Sequence, residues 1–217
     1  MEYKTYTKNE LIKTIKEDTY ILGDSSINPY KNADVSLKKF NPFNLVPSTY
    51  YYFYDYVINL VKLYEDFLKD GIDIFNLDGY VSFFNKEYEK QLALTPPIIE
   101  KVDNKDMILD GMHRIVTAKF LKKNINCIYI ENSDKNYLPY AVPNKNGWDD
   151  VQVFKNKVPD NFITRGKRYK ENYRWYSRQF NLDGETQIPR QHTLKRDENY
   201  KKLLEQDVLR KQQEKIK

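Results

Sequence analysis

The stretch that leaves the chain least freedom is "PPIIEKVDNKDMILDGMHRIVTAKFLKKNINCIYI", residues 96–130. Two short apolar runs, "PPIIEKV" and "MILD", flank the turn-forming "DNKD". The prolines stand at the very start of the first run, where a missing N–H is tolerated in a strand. The two runs therefore read as a hairpin. The second run ends in Asp110-Gly111. "MHRIVTAKFLKK" then has helical character, and "INCIYIEN" is a third apolar strand. Two strands, a helix and a third strand in that order predict a small mixed sheet with helices packed on it, an α+β fold.

The flanking segments extend this plan. "KNELIKTIKED" carries Leu11, Ile12 and Ile15 at helical spacing. "ADVSLKKFNPF" alternates Val35 and Leu37, with Phe40 one step out of phase, and predicts a strand running into a turn at Pro42. "VPSTYYYFYDYVINLVKLYEDFLKDG" is the strongest helix, with Val57, Leu60, Val61, Tyr64 and Leu68 on one face. Ser48 or Thr49 is placed to cap its start and Gly71 to end it. "VSFFNKEYEKQLA" reads as a further short helix. After about Pro139 the chain changes character. "PYAVPNKNGWDD" is a loop, and "GKRYKENYRWYSRQF" is an amphipathic helix. Tyr169, Tyr173, Tyr176 and Phe180 form one of its stripes; Lys167, Lys170, Arg174 and Arg178 form the opposite one. "DGETQIPRQHTLKR" is a loop, and a mostly polar helix with Leu203, Leu204 and Leu209 closes the chain. No internal repeat is present. The expected organisation is an N-terminal helical extension over 1–32, a core over 33–138, and a basic, aromatic helical region over 139–217.

Composition limits the function classes. With 217 residues, 40% of them hydrophobic, the chain can bury a real core. The single cysteine, Cys127, excludes an internal disulfide framework and a Cys-rich zinc site; its apolar surroundings mark it as a buried small hydrophobe. A net charge of +5 suits phosphate-bearing ligands without pointing to nucleic acid specifically. No apolar run approaches the ~18 residues of a membrane span, and "MEYKTYTKNE" has no signal-peptide pattern. The expectation is a soluble cytoplasmic protein without membrane contact.

The chemistry concentrates at Asp110-Gly111-Met112-His113-Arg114. A helix that starts just after a glycine offers backbone N–H groups and the positive end of its dipole. Gly111 permits a tight turn and close approach of a ligand. Arg114 offers a forked donor for phosphate oxygens. His113 can donate to phosphate or carry a proton. Asp110 can hold a divalent cation or accept a hydroxyl proton. The competing reading is that Asp-Gly is an ordinary turn, Asp110 an N-cap and His113 a surface histidine.

Segment 96–130 resembles the core of the ParB/sulfiredoxin superfamily: a Pro-Ile strand, a turn, a strand into an acidic-Gly-x-His-Arg corner, a helix containing an alanine (here Ala118), and an apolar strand. "DVSLKKFNPFNLVP" and "YVINLVKLYEDFLKDGI" are similar to the family's first strand and to the helix before its Pro-Ile strand. The resemblance covers roughly residues 33–131 and none of the tail. It implies a nucleotide bound at the corner by Gly111, Met112, His113 and Arg114. Sulfiredoxin has a catalytic cysteine where this chain has Met112, which argues against sulfinic-acid repair. ParB partition proteins carry a Glu-Arg-Arg corner that binds CTP. Asp110 and His113 depart from that, and no helix-turn-helix is evident after residue 131. The Asp-Gly-x-His-Arg form is most similar to the free serine kinases of this fold and to the DGQHR-type proteins of DNA-modification systems. The resemblance to the kinases implies a nucleotide-dependent phosphotransferase acting on a hydroxyl of a small molecule or modified nucleobase. Such an enzyme would use ATP or ADP (with CTP as a further candidate) and Mg²⁺ on Asp110. Asp110 and His113 would be catalytic, and an acid from the N-terminal half would be the base: Asp55, Glu65 or Asp66, with Asp55 favoured.

The alternative is a DNA-associated ParB-like nucleotide-binding or nuclease protein, with DNA reached through Lys167, Lys170, Arg174 and Arg178. A ring stripe opposite a charged stripe is also what an ordinary core-packing helix presents. "IPRQH" sets His192 beside Arg190 as a second-site candidate or a surface histidine. "YYYFYDY" invites a stacking hypothesis, against which four of its rings are expected to pack into the core.

Overall fold

A computed structural model describes residues 3–21, 24, 26–85, 90–159, 162 and 174–175. In chain order the elements are β1 (Tyr3–Thr7), α1 (Lys8–Asp18), β2 (Tyr20–Ile21), β3 (Asp34–Phe40), β4 (Val46–Pro47), β5 (Tyr51–Phe53), α2 (Tyr54–Lys69), β6 (Gly79–Asn85), β7 (Lys90–Leu94), β8 (Ile98–Val102), β9 (Lys105–Asp110), α3 (Met112–Phe120), β10 (Ile125–Glu131), β11 (Gln152–Phe154) and β12 (Arg174–Trp175). The fold is α+β, with three α-helices and mixed sheets among the described residues.

The principal sheet has the order β3-β10-β8-β9-β4. β10 runs antiparallel to β3 and parallel to β8, β8 pairs antiparallel with β9, and β9 pairs parallel with β4. The predicted hairpin closes through Asp103 and Asn104, both at positive φ (49° and 61°). These are residue types that tolerate the left-handed region and match the right-handed strand twist.

Period-two alternation on this sheet builds two cores. Ile99, Ile108, Cys127 and Tyr129 face α2 and α3 with Val57, Tyr64, Phe67, Ile115 and Ala118. Ile98, Met107, Leu109, Ile128 and Ile130 face α1 with Leu11, Ile15 and Tyr30. Phe40 joins the first core while Val35 and Leu37 join the second, which accounts for its phase.

Four expectations need correction. The helix expected over 81–93 is not there among its described residues: 81–85 belong to β6 and 90–93 to β7, and β6 pairs with both β1 and β7 in a three-stranded antiparallel sheet. Val81 and Phe83 serve one core and Tyr80 the other, so burial on both faces removes the alternation that would have marked a strand. β1 itself was not anticipated; its polar sequence "YKTYT" leaves it mostly exposed. Neither Ser48 nor Thr49 caps α2. Ser48 Oγ donates to the Ile108 carbonyl (2.7 Å), β5 intervenes, and Phe53 is the N-cap. Finally, the buried stripe of α2 is Val57, Tyr64 and Phe67, whereas Leu68 is exposed.

Of the expected basic helix, only Arg174–Trp175 falls among the described residues, and it is a strand paired with β2. Arg174 is fully buried, with an Nη2 atom 3.4 Å from Glu100 and donating to the Tyr137 carbonyl (2.6 Å). It is therefore not part of a solvent-facing stripe. Lys167, Lys170, Arg178, the ring stripe, Arg190, His192 and the terminal helix lie outside the described residues. No helix among the described residues is long and apolar enough to cross a membrane.

Candidate functional site

β9 delivers Asp110 to the end of the sheet, opposite Ile98, beside a register shift between Ile98 and Ile99. Gly111 follows with φ +83° and is the N-cap of α3; it contributes no side-chain cap. Two constraints demand glycine here. The backbone is left-handed, and a Cβ would lie 2.8 Å from Pro97 Cβ and 2.9 Å from an Arg114 guanidinium nitrogen. The space a side chain would fill is the space in which Arg114 folds back over the start of its own helix.

Arg114 is largely buried, its side chain 13% exposed. One terminal nitrogen lies 3.5 Å from Asp110 Oδ2, and the other donates to Thr95 Oγ1 (3.3 Å). The first turn of α3 contains no acid. It thus presents the dipole's positive end, a guanidinium and an imidazole together, a combination suited to an anion.

A second helix starts at the same place. β5 runs directly into α2, whose N-cap, Phe53, also supplies no side-chain cap. The Phe53 N–H donates to His113 Nε2 (3.0 Å). With Nε2 occupied as an acceptor, the neutral ring carries its proton on Nδ1. The rings of Phe53 and His113 stack, with centroids 5.8 Å apart and planes 14° apart, and Tyr56 lies 5.0 Å from His113. Asp55 sits in this first turn of α2, its N–H donating to the Lys155 carbonyl (3.0 Å). Glu65 and Asp66 lie about 15 Å further along α2; Asp66 is exposed and paired with Lys69 (2.7 Å). The fold thus brings Asp110, Gly111, Met112, His113, Arg114 and the turn bearing Asp55 into one region, and leaves Glu65 and Asp66 apart.

Met112 is buried and packs into the core beneath the corner, so its side chain contributes shape there. Cys127 is fully buried, and burial pushes its thiol well above the usual range. Among the described residues no group of three or more His, Cys, Asp or Glu side chains is arranged to hold a metal ion. A partly exposed single carboxylate, Asp110, suits Mg²⁺, which takes one or two carboxylates and completes its shell with phosphate oxygens and water.

Sequence reasoning missed Thr95, and it marked Phe53 and Tyr56 only as part of the ring-rich stretch "YYYFYDY", not as neighbours of His113. None of the rings in "YYYFYDY" is fully buried: Tyr52 packs against the main core, and Tyr51 and Phe53 contact each other on β5, which pairs with β11 in a separate two-stranded sheet. The density of rings directly before the α2 helix was the available signal.

Residues 10–152 match the ParB CE domain, more than half of the chain. The chain belongs to the ParB CE domain family. Comparisons with curated proteins and with solved structures gave no match. The assignment is consistent with a ParB/sulfiredoxin-like superfamily and with the order β8, β9, corner, α3, β10. The ParB CE match begins within α1 and ends at the start of β11, so it takes in the corner and both helix starts but not Arg174.

Proposed function

We propose that this ParB CE domain protein is a nucleotide-dependent phosphotransferase that binds its nucleotide's phosphates at residues 111–114 and phosphorylates a hydroxyl of a small molecule or modified nucleobase. The observation that carries the reading is the meeting of two helix starts without side-chain caps, α2 and α3, joined by the Phe53–His113 hydrogen bond. The positive end of α3, whose first turn contains no acid, and Arg114 neutralise phosphate charge in a partly buried setting, where such interactions count for more than in water. ATP or ADP is the favoured nucleotide, with CTP a further candidate. Mg²⁺ bound by Asp110 and the phosphates would supply further neutralisation. His113 donates from Nδ1 to the transferring group, and Asp55 takes the acceptor's proton. A phosphate arriving at the corner competes with Asp110 for Arg114, and the 3.5 Å Asp110–Arg114 contact is long enough to be exchanged.

Calorimetric titration of ATP, ADP and CTP with Mg²⁺ tests binding. Arg114→Ala is expected to weaken it by about 1.5–3 kcal/mol, the loss typical of a hydrogen bond to a charged group. Unchanged affinity in that variant removes the corner from the site. Family membership keeps a second reading open, a DNA-associated nucleotide-binding or nuclease protein. Under that reading DNA binds with a steep salt dependence, and no hydroxyl acceptor is turned over.

A further inference from the structure

The run "LALTPPII", residues 92–99, carries a single polar side chain, Thr95. Thr95 lies between β7 and β8 and is only 3% exposed. A hydroxyl buried among apolar neighbours costs stability unless it is hydrogen-bonded. Here Thr95 Oγ1 accepts from Arg114 Nη1 (3.3 Å). The backbone beneath that hydroxyl has little freedom. Pro96 follows directly and biases Thr95 toward extended conformations. Pro97 lies against Gly111, and its carbonyl accepts the Ile128 N–H (2.8 Å). The contacts of Arg114 with Thr95 and with Asp110 use different nitrogens: Nη1 meets the hydroxyl, and Nη2 lies 3.5 Å from Asp110 Oδ2. A phosphate can therefore take the Asp110 side of the fork without disturbing the Thr95 side.

We infer that Thr95 is a positioning residue for the phosphate site proposed above, on which this inference rests. Its hydroxyl oxygen fixes Nη1, so that Nη2 passes from Asp110 to the incoming phosphate while the guanidinium stays at the corner. Thr95 acts through Arg114 and not on the ligand. A neutral acceptor suits that task. It orients the arginine and leaves the positive charge for the phosphate, where a carboxylate in the same place would neutralise it.

The test is calorimetric titration of the full chain with ATP and, separately, with inorganic tripolyphosphate, both with Mg²⁺. Thr95→Val keeps the shape of the side chain and removes the acceptor, whereas Thr95→Ser keeps the acceptor. Thr95→Val should bind both ligands about tenfold more weakly than the wild type, the lower end for a lost hydrogen bond to a charged group. Thr95→Ser should retain most of the wild-type affinity. In an Arg114→Ala background, Thr95→Val should cause no further loss, because the group it orients is gone. Urea midpoints measured alongside establish that each variant is folded, and Thr95→Ala carries the same comparisons if the valine variant is not. Wild-type affinity without the hydroxyl, an equal loss in Thr95→Ser, or the same loss again in the Arg114→Ala background overturns the positioning role and leaves the phosphate site standing. Failure of the wild type to bind either compound, or undiminished binding in Arg114→Ala alone, overturns the phosphate reading and this inference with it.

Discussion

At the scale of single residues, Gly111 decides where Arg114 can be. A methyl group at position 111 would enter the space of Pro97 and of the guanidinium at once, on backbone already at φ +83°. Gly111→Ala should therefore destabilise the fold by about 1–3 kcal/mol, read as a lower midpoint in urea. It should also weaken nucleotide binding, because Arg114 is pushed from its place. Asp110→Asn keeps the size of the side chain and removes the charge. Under the proposed chemistry it should preserve the fold by circular dichroism and cut turnover by orders of magnitude; full turnover would exclude Asp110 from the reaction. The local part of this arrangement was legible in the sequence, since Asp110, Gly111 and Arg114 lie within one turn of each other. The Phe53–His113 bond was not, because it joins residues 60 positions apart and uses a backbone donor that no side-chain pattern marks.

At the scale of elements, legibility followed burial. α1 buries one face and keeps its periodicity in the sequence, whereas β8 to β10 bury both faces and are marked instead as short apolar runs bounded by turn residues. β6 and β7 serve two cores at once and lost theirs. The start of α1 carries a local signature, the capping box of Thr7 and Glu10. Glu10 accepts the Thr7 N–H (2.7 Å) and its hydroxyl (2.8 Å), while the Glu10 N–H donates back to Thr7 Oγ1 (3.3 Å). The Thr7 N–H and O–H hold the Glu10 carboxyl below its ordinary value of 4.5. A depressed acid stabilises the fold above its ordinary value, and this stabilisation fades as the pH falls through the lowered one. The amides of the first turn of α1 should therefore lose hydrogen-exchange protection on acidification below about 4.5, before those of α3. In Thr7→Ala that protection should already be reduced at neutral pH.

At the scale of the whole molecule, one buried ion pair ties the far end of the described chain to the sheet. Glu100, on the α1 side of β8, accepts hydrogen bonds from the hydroxyls of Tyr30 (2.7 Å) and of part-buried Ser133 (2.6 Å) and faces Arg174, beside the second core. Both charged side chains are fully buried. Breaking such a pair leaves an uncompensated charge, so Arg174→Ala should cost about 3–5 kcal/mol in urea denaturation. The double variant Arg174→Met with Glu100→Gln should recover much of that loss. Equal losses in the single and double variants would mean that packing, not charge, is what matters there. Nothing near Glu100 in the sequence announces this partner, 74 residues away in a segment whose composition suggests a solvated helix.

The ParB CE match stops at residue 152, yet the charge that balances Glu100 arrives at 174. The two positions should therefore be inherited together. In related chains that lack an arginine at the place of Arg174, the acid at the place of Glu100 should be replaced by a neutral residue. A lineage that loses only one of them should be rare, since the intermediate carries a lone charge in its core.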